Sequence, residues 1–130
     1  HYGCSDVDSL QRDEGITLAN FHHDTNFSEY FRDVNAKSYG LDAIADRRFP
    51  DFSGYKNVIV EDLQKHAADM PPRVRTGSLD GRYKWLSNHK YMRFSRLSLE
   101  TLRLYNGADA DLCRRIGVNN RNIAPQALMK

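Results

Sequence analysis

Cysteine is scarce in this chain of 130 residues: there are two, Cys4 and Cys113. They form no Cys-x-x-Cys pair, so neither a zinc ribbon nor a thioredoxin-type redox motif can be built from them. One disulfide is possible, and closing a loop of about 110 residues would contribute roughly 4–5 kcal/mol through the unfolded state. Two buried thiols are the other reading. Apolar runs are short, and none reaches the ~18 residues of a membrane-spanning helix. A glycine-rich phosphate loop and a G-x-S-x-G nucleophile elbow are both absent, which removes two large enzyme classes. Low-complexity tracts and internal repeats are missing as well. An initiator methionine is missing too: the chain opens on His1, as it would after removal of a leader or as an internal piece.

What is present is ordinary in bulk and uneven in layout. The length fits a single domain with a core large enough to fold without a metal. Net charge is +2. Residues 1–70 hold 7 Lys/Arg against 13 Asp/Glu, while residues 71–130 hold 12 against 4. Cations gathered on one surface can hold phosphates; spread evenly, or facing the acidic half of the same chain, they supply solubility.

The stretch from Val74 to Val118 reads as a series of short strands. Val74–Thr76, Arg82–Leu86, Tyr91–Ser95, Glu100–Tyr105 and Leu112–Val118 alternate apolar or aromatic residues with basic ones. Period-2 alternation describes a sheet with one face in a core and the other in water. Asn106-Gly107 marks a tight turn between two of these strands. The expected fold is therefore α+β: one or two helices packed on a curved antiparallel sheet. Upstream, Tyr2-Gly3-Cys4 reads as extended and Gln11–His23 as helical. Asn26 and Glu29 resemble a capping box opening a second helix. In that helix Phe27, Tyr30, Phe31 and Val34 fall at i, i+3, i+4 and i+7, one apolar face. Gly40 ends it or follows close behind, and Leu41–Ala45 adds a turn before Pro50. Asn57–Val60 reads as a buried strand, Glu61–Met70 as a short helix, and residues from Asn119 onward as a loosely ordered polar tail.

Candidate chemistry is thin. His22 and His23 are adjacent and diverge by about 100° on a helix, so they cannot share a metal from one face. His1, His66 and His89 stand alone, and no metal or cofactor is implied. The basic stretch is the suggestive feature: Arg82, Lys84, Arg93, Arg103, Arg114 and Arg115 are interleaved with Tyr83, Trp85, Tyr91, Phe94 and Tyr105. That pattern offers charge for phosphates and rings for bases. Strand alternation, however, would put rings and charges on opposite faces and send most rings to the core.

Several short motifs occur in an order that resembles a known family. Tyr2-Gly3-Cys4 followed by a helix resembles the Tyr-x-Cys opening of secreted ribonuclease-like effectors of cereal powdery mildew fungi. Phe49-Pro50-Asp51-Phe52-Ser53-Gly54-Tyr55 and Tyr83-Lys84-Trp85 resemble stretches of fungal guanyl-specific ribonucleases, the parent fold. Leu102–Asn106, Leu112-Cys113 and Ile116–Val118 resemble their last two strands. The resemblance implies a microbial ribonuclease-like domain over 1–130, with an insertion near 24–48 and an extra tail from about 119. It also implies a Cys4–Cys113 disulfide and secretion, with transfer into a host cell.

Cleavage by that fold needs a general base, a histidine acid and an arginine on the phosphate. The matching positions carry Asp51, Lys84, Leu102 or Arg103, and Val118, and a protonated lysine is unsuited as a base. The resemblance thus implies a scaffold that is not an enzyme. Its expected role is a monomeric virulence or avirulence protein that binds host plant proteins, an intracellular immune receptor among them. The alternative is a pseudo-ribonuclease holding RNA through Arg82, Lys84, Arg93 and Arg103. An active nuclease would have to use His66 or His89 with Glu100.

Overall fold

No strand occurs among the described residues of the computed structural model, which are 3–17 and 24–121, with side chains described from residue 7. Seven helices take their place: α1 (Gly3–Glu14), α2 (Thr25–Arg32), α3 (Leu41–Arg48), α4 (Asn57–Gln64), α5 (Pro72–Arg75), α6 (Leu79–Asn88) and α7 (Leu99–Asn119). Short 3₁₀ turns lie at Pro50–Phe52 and Phe94–Arg96. The expected α+β fold with its antiparallel sheet is overturned. Val74 and Arg75 close α5, Arg82–Leu86 lies within α6, and Asn57–Val60 lies within α4. Tyr91–Ser95 leads into the second 3₁₀ turn, while Glu100–Tyr105 and Leu112–Val118 are parts of one helix, α7.

The reason lies in the window. Five alternating residues fit a strand, but the inward positions continue at helical spacing over a longer stretch. In α6, Leu79, Arg82, Trp85 and Leu86 turn inward, while Tyr83 and Lys84 are exposed. In α7, Thr101, Leu102, Tyr105, Leu112 and Ile116 turn inward, and Leu104 is left 58% exposed. Side-chain caps set the starts. The Gly81 N–H donates to Ser78 Oγ at 3.2 Å, and the Thr101 N–H donates to Ser98 Oγ at 3.2 Å. Asn106-Gly107, expected as a turn, is helix interior.

Gly107 gives this correction a sign. A Cβ there would meet no atom within 4 Å, so Gly107→Ala is expected to stabilise the chain by about 0.5–1 kcal/mol. A glycine held in a left-handed hairpin turn would instead make alanine destabilising. Urea unfolding of the two proteins reads the direction.

Two compact units divide the chain: residues 52–109, and residues 1–51 with 110–130. In the first of these, Ile59, Val60, Leu63, Ala67, Met70, Leu86 and Leu97 form the buried core. Val74, Leu79, Trp85, Tyr91, Met92, Leu102 and Tyr105 pack around it. Asp62 is buried in this unit and accepts the Ser98 N–H at 2.8 Å, which ties α4 to the start of α7.

The other unit buries Leu41, Ile44, Ala45, Leu112 and Ile116. Its α2 exists as expected but faces the other way. Phe27, Tyr30, Phe31 and Val34 are 56%, 46%, 37% and 58% exposed, whereas Thr25, Ser28 and Glu29 are buried. Polar partners cause the inversion. Glu29 pairs with Arg48, and the Asn120 amide donates to Glu29 Oε1 at 2.8 Å and to Ser28 Oγ at 3.1 Å. Asp24, not Asn26, caps the helix by accepting the Asn26 N–H at 2.8 Å. Gly40 is the N-cap of α3 rather than the end of α2, and α3 runs on to Arg48.

Other sequence expectations change locally. Gly3 and Cys4 open α1 instead of an extended segment, and α1 stops at Glu14 before Gly15 at φ +66°. Helix over Gln11–His23 therefore holds only to Glu14; residues 18–23 lie outside the described set. The segment 24–48 contains α2 and α3 and supplies buried residues, so it is part of its unit's core. Asn119, where the tail is expected to start, closes α7, Asn120 after it is fully buried, and residues from 122 onward lie outside the described set.

Candidate nucleic-acid interface

Between Gly81 and Leu99 there are five Lys/Arg and no Asp or Glu. The stretch covers most of α6, the turn after it and the 3₁₀ turn. Its helix ends in a Schellman arrangement: the Lys90 N–H reaches Ser87 O at 3.1 Å and the Tyr91 N–H reaches Leu86 O at 2.8 Å. Lys90 takes the left-handed position, φ 59°, where glycine is usual, and is the one non-glycine residue with positive φ among those described. This reversal returns Tyr91 onto Trp85.

Three rings gather as a result. His89 lies on Trp85 at 4.0 Å between centroids and 16° between planes, the i, i+4 geometry of a helix face. Tyr91 is 5.7 Å from Trp85 and inclined by 8°. The His89 Nδ1 sits 2.8 Å from the Trp85 carbonyl oxygen and donates to it. The Tyr91 hydroxyl donates to Asp69 at 2.6 Å, which holds the phenol above its ordinary pKa. The Arg96 guanidinium lies over the Tyr91 ring at 5.8 Å. Lys84, Lys90, Arg93 and Arg96 are all exposed.

A second aromatic group belongs to the same unit. Tyr55 and Tyr105 stack at 6.1 Å with planes 6° apart, and the Tyr55 hydroxyl donates to Asp109 at 2.6 Å. Phe94 leans on Tyr105 at 6.0 Å and 37°. The arrangement can present cations and flat apolar rings side by side.

No protein-family model, no characterised protein and no solved structure matches this chain.

The expected site residues divide between the two units. Lys84, Leu102 and Arg103 belong to 52–109, whereas Asp51 and Val118 belong to the other unit. Leu102 packs against the core and Arg103 is exposed. Of the four expected RNA contacts, Arg82 is the exception. It is half-buried, its Nη1 donates to Gln64 at 3.4 Å, and its Nε is buried without a partner. Lys84 on α6, Arg93 before the 3₁₀ turn and Arg103 on α7 are exposed. Arg114 and Arg115 both pair with Asp111, at 2.7 and 2.9 Å, and hold that carboxyl below the ordinary range. Cys113 is half-buried on α7; the Cys4 side chain, and with it the expected disulfide, lies outside the described residues.

Among the described residues no three His, Cys, Asp or Glu gather to hold a metal, and no helix is long and apolar enough to cross a membrane. His66 and His89 are exposed, as is Glu100 at the first turn of α7. His22 and His23 fall outside the described residues. Sequence reasoning passed over Lys90, Arg96, Asp62 and Asn120. For Asp62 the sequence offered little: it stands beside Glu61 between Val60 and Leu63, and only the fold buries it and brings it to the Ser98 backbone 36 residues on.

Proposed function

We propose that this chain is a non-catalytic module that binds nucleic acid through the cationic, aromatic segment from Gly81 to Leu99. One observation carries the reading: five Lys/Arg without a single carboxylate share this segment with the ring group of Trp85, His89 and Tyr91. The unit that contains it, residues 52–109, carries 10 Lys/Arg against 6 Asp/Glu. Strand alternation would have separated rings from charges. The helix and its reversal at Lys90 bring them together instead.

The ribonuclease-like scaffold is not part of this reading. The stretches that would be strands in that fold, Tyr83–Trp85, Leu102–Asn106 and Leu112–Val118, are helical here. The effector role in a plant host that the resemblance implied, with its secretion and its receptor, loses that support. The alternative role taken from the sequence, nucleic-acid binding, is kept, with Arg82 withdrawn, Arg103 left outside the segment on α7, and Lys90 and Arg96 added to Lys84 and Arg93.

Salt dependence tests it. With Lys84, Lys90, Arg93 and Arg96 each meeting one phosphate, affinity for a labelled RNA is expected to fall about 50-fold between roughly 50 and 200 mM salt. Replacing Lys90 and Arg93 by glutamine should flatten that slope by about half. Anisotropy titration reads both. Absence of binding at the lower salt, or affinity indifferent to salt, would refute the proposal.

A further inference from the structure

We infer that the nucleic acid taken by this surface is single-stranded, and that Phe94 is the platform on which one base stacks. The inference rests on the nucleic-acid reading above and adds the form of the ligand and the residue that selects it.

Phe94 is 53% exposed, yet its position is well supported. The ring leans on Tyr105 from one side, Tyr105 stacks on Tyr55, and Tyr55 is fixed through its hydroxyl to Asp109. The backbone beneath is a tight turn: the Arg96 N–H donates to Arg93 O at 3.0 Å and the Leu97 N–H to Phe94 O at 3.1 Å. Both ends are anchored in the core, Met92 by packing against it and Leu97 by burial within it. A phenyl ring held this way presents open apolar surface at little cost in side-chain entropy.

Its neighbours supply the charge. Arg93 and Arg96 flank Phe94 in the turn, both exposed, and Arg96 is steadied over Tyr91. An open ring between two exposed cations, one of them held over Tyr91, matches a strand whose bases are unpaired and whose phosphates repeat beside them. A duplex buries its base faces in its own stack and offers the ring nothing. The Trp85 group differs, because its rings lie against one another and against Arg96, whereas Phe94 leaves half its surface to solvent. Its place is thus to steady Arg96 through Tyr91, and the stacking surface is Phe94.

The test uses the full chain and two probes: a labelled single strand of mixed sequence and the same strand annealed to its complement. Phe94→Ala and Phe94→Leu are measured beside wild type, with circular dichroism confirming that each is folded. Leucine keeps an apolar contact with Tyr105 but has no π face, so it separates stacking from local packing. Wild type is expected to prefer the single strand. Both variants are expected to lose about ten- to a hundredfold in affinity for it, with the salt slope unchanged. Phe94→Tyr should retain wild-type affinity. Equal affinity for the two probes, or a Phe94→Leu protein that binds the single strand as wild type does, overturns the inference and leaves the nucleic-acid reading standing. Failure of both probes to bind overturns the two together.

Discussion

Glu29→Ala is expected to cost about 3–5 kcal/mol of folding stability, because it leaves a largely buried arginine without its counter-ion. Glu29 is 2% exposed and the Arg48 side chain 16%, so the pair is largely shielded from water. Burial already lowers the Arg48 pKa, the sign of a cation short of solvent. The same carboxylate accepts from the Asn120 side-chain amide at 2.8 Å, and Arg32 and Arg48 both donate to Asn120 Oδ1, at 3.5 and 3.3 Å. Removing Glu29 therefore disturbs α2, α3 and the residue that follows α7 at once. Phe27→Ala serves as its counterpart on the same helix. An apolar α2 face in the core would make that change cost about 3–5 kcal/mol. Phe27 at 56% exposure predicts a change within about 0.5 kcal/mol. Chemical unfolding of both variants reads the orientation of α2 directly: a mild Glu29→Ala and a severe Phe27→Ala would reverse it.

Asp62→Asn should cost about 1.5–3 kcal/mol near neutral pH, the worth of hydrogen bonds to a charged group, although the side chain barely changes in size. The Ser98 backbone N–H is the main force holding the Asp62 carboxyl far below its ordinary 3.8, and burial opposes it; Thr101, Lys65 and the Ser98 hydroxyl add smaller contributions. Because the folded pKa is depressed, the unfolded chain takes up the proton first as the solution is acidified. The contribution of Asp62 is complete above pH 3.8 and is lost as pH falls toward the folded value. The stability difference between wild type and Asp62→Asn is thus expected to be constant from neutral pH to about pH 5 and to shrink below about pH 4. A difference that persists undiminished at pH 2–3 would mean that the charge is not what Ser98 holds.

How much of this was legible depended on the distance between a residue and its partner. The existence of α2 was readable from its own spacing, but its orientation was not. What buries Ser28 and Glu29 is Arg48 and Asn120, the latter 91 residues from Glu29. Amphipathic spacing marks an apolar stripe and cannot tell whether a polar network has claimed the opposite one. The strand reading of Arg82–Leu86 failed for a local reason. Five residues of alternation fit either period, and the deciding signals were Ser78 as a cap before them and Leu79 and Leu86 seven apart. Once α6 is a helix, the Trp85–His89 pair follows from its i, i+4 spacing. The return of Tyr91 does not, because it depends on Lys90 adopting a left-handed conformation that lysine rarely takes. The cationic surplus after residue 70 was visible from composition alone, and it is the part of the sequence reading that carries the proposed function.

Backbone NMR of the full chain, titrated with a short single-stranded RNA, tests the central claim most directly. Free protein should show helical shifts over Leu79–Asn88 and Leu99–Asn119, and RNA should move resonances between Gly81 and Leu99, with Phe94 among the largest. Extended-strand shifts at Arg82–Leu86, or changes confined to α2, would contradict it.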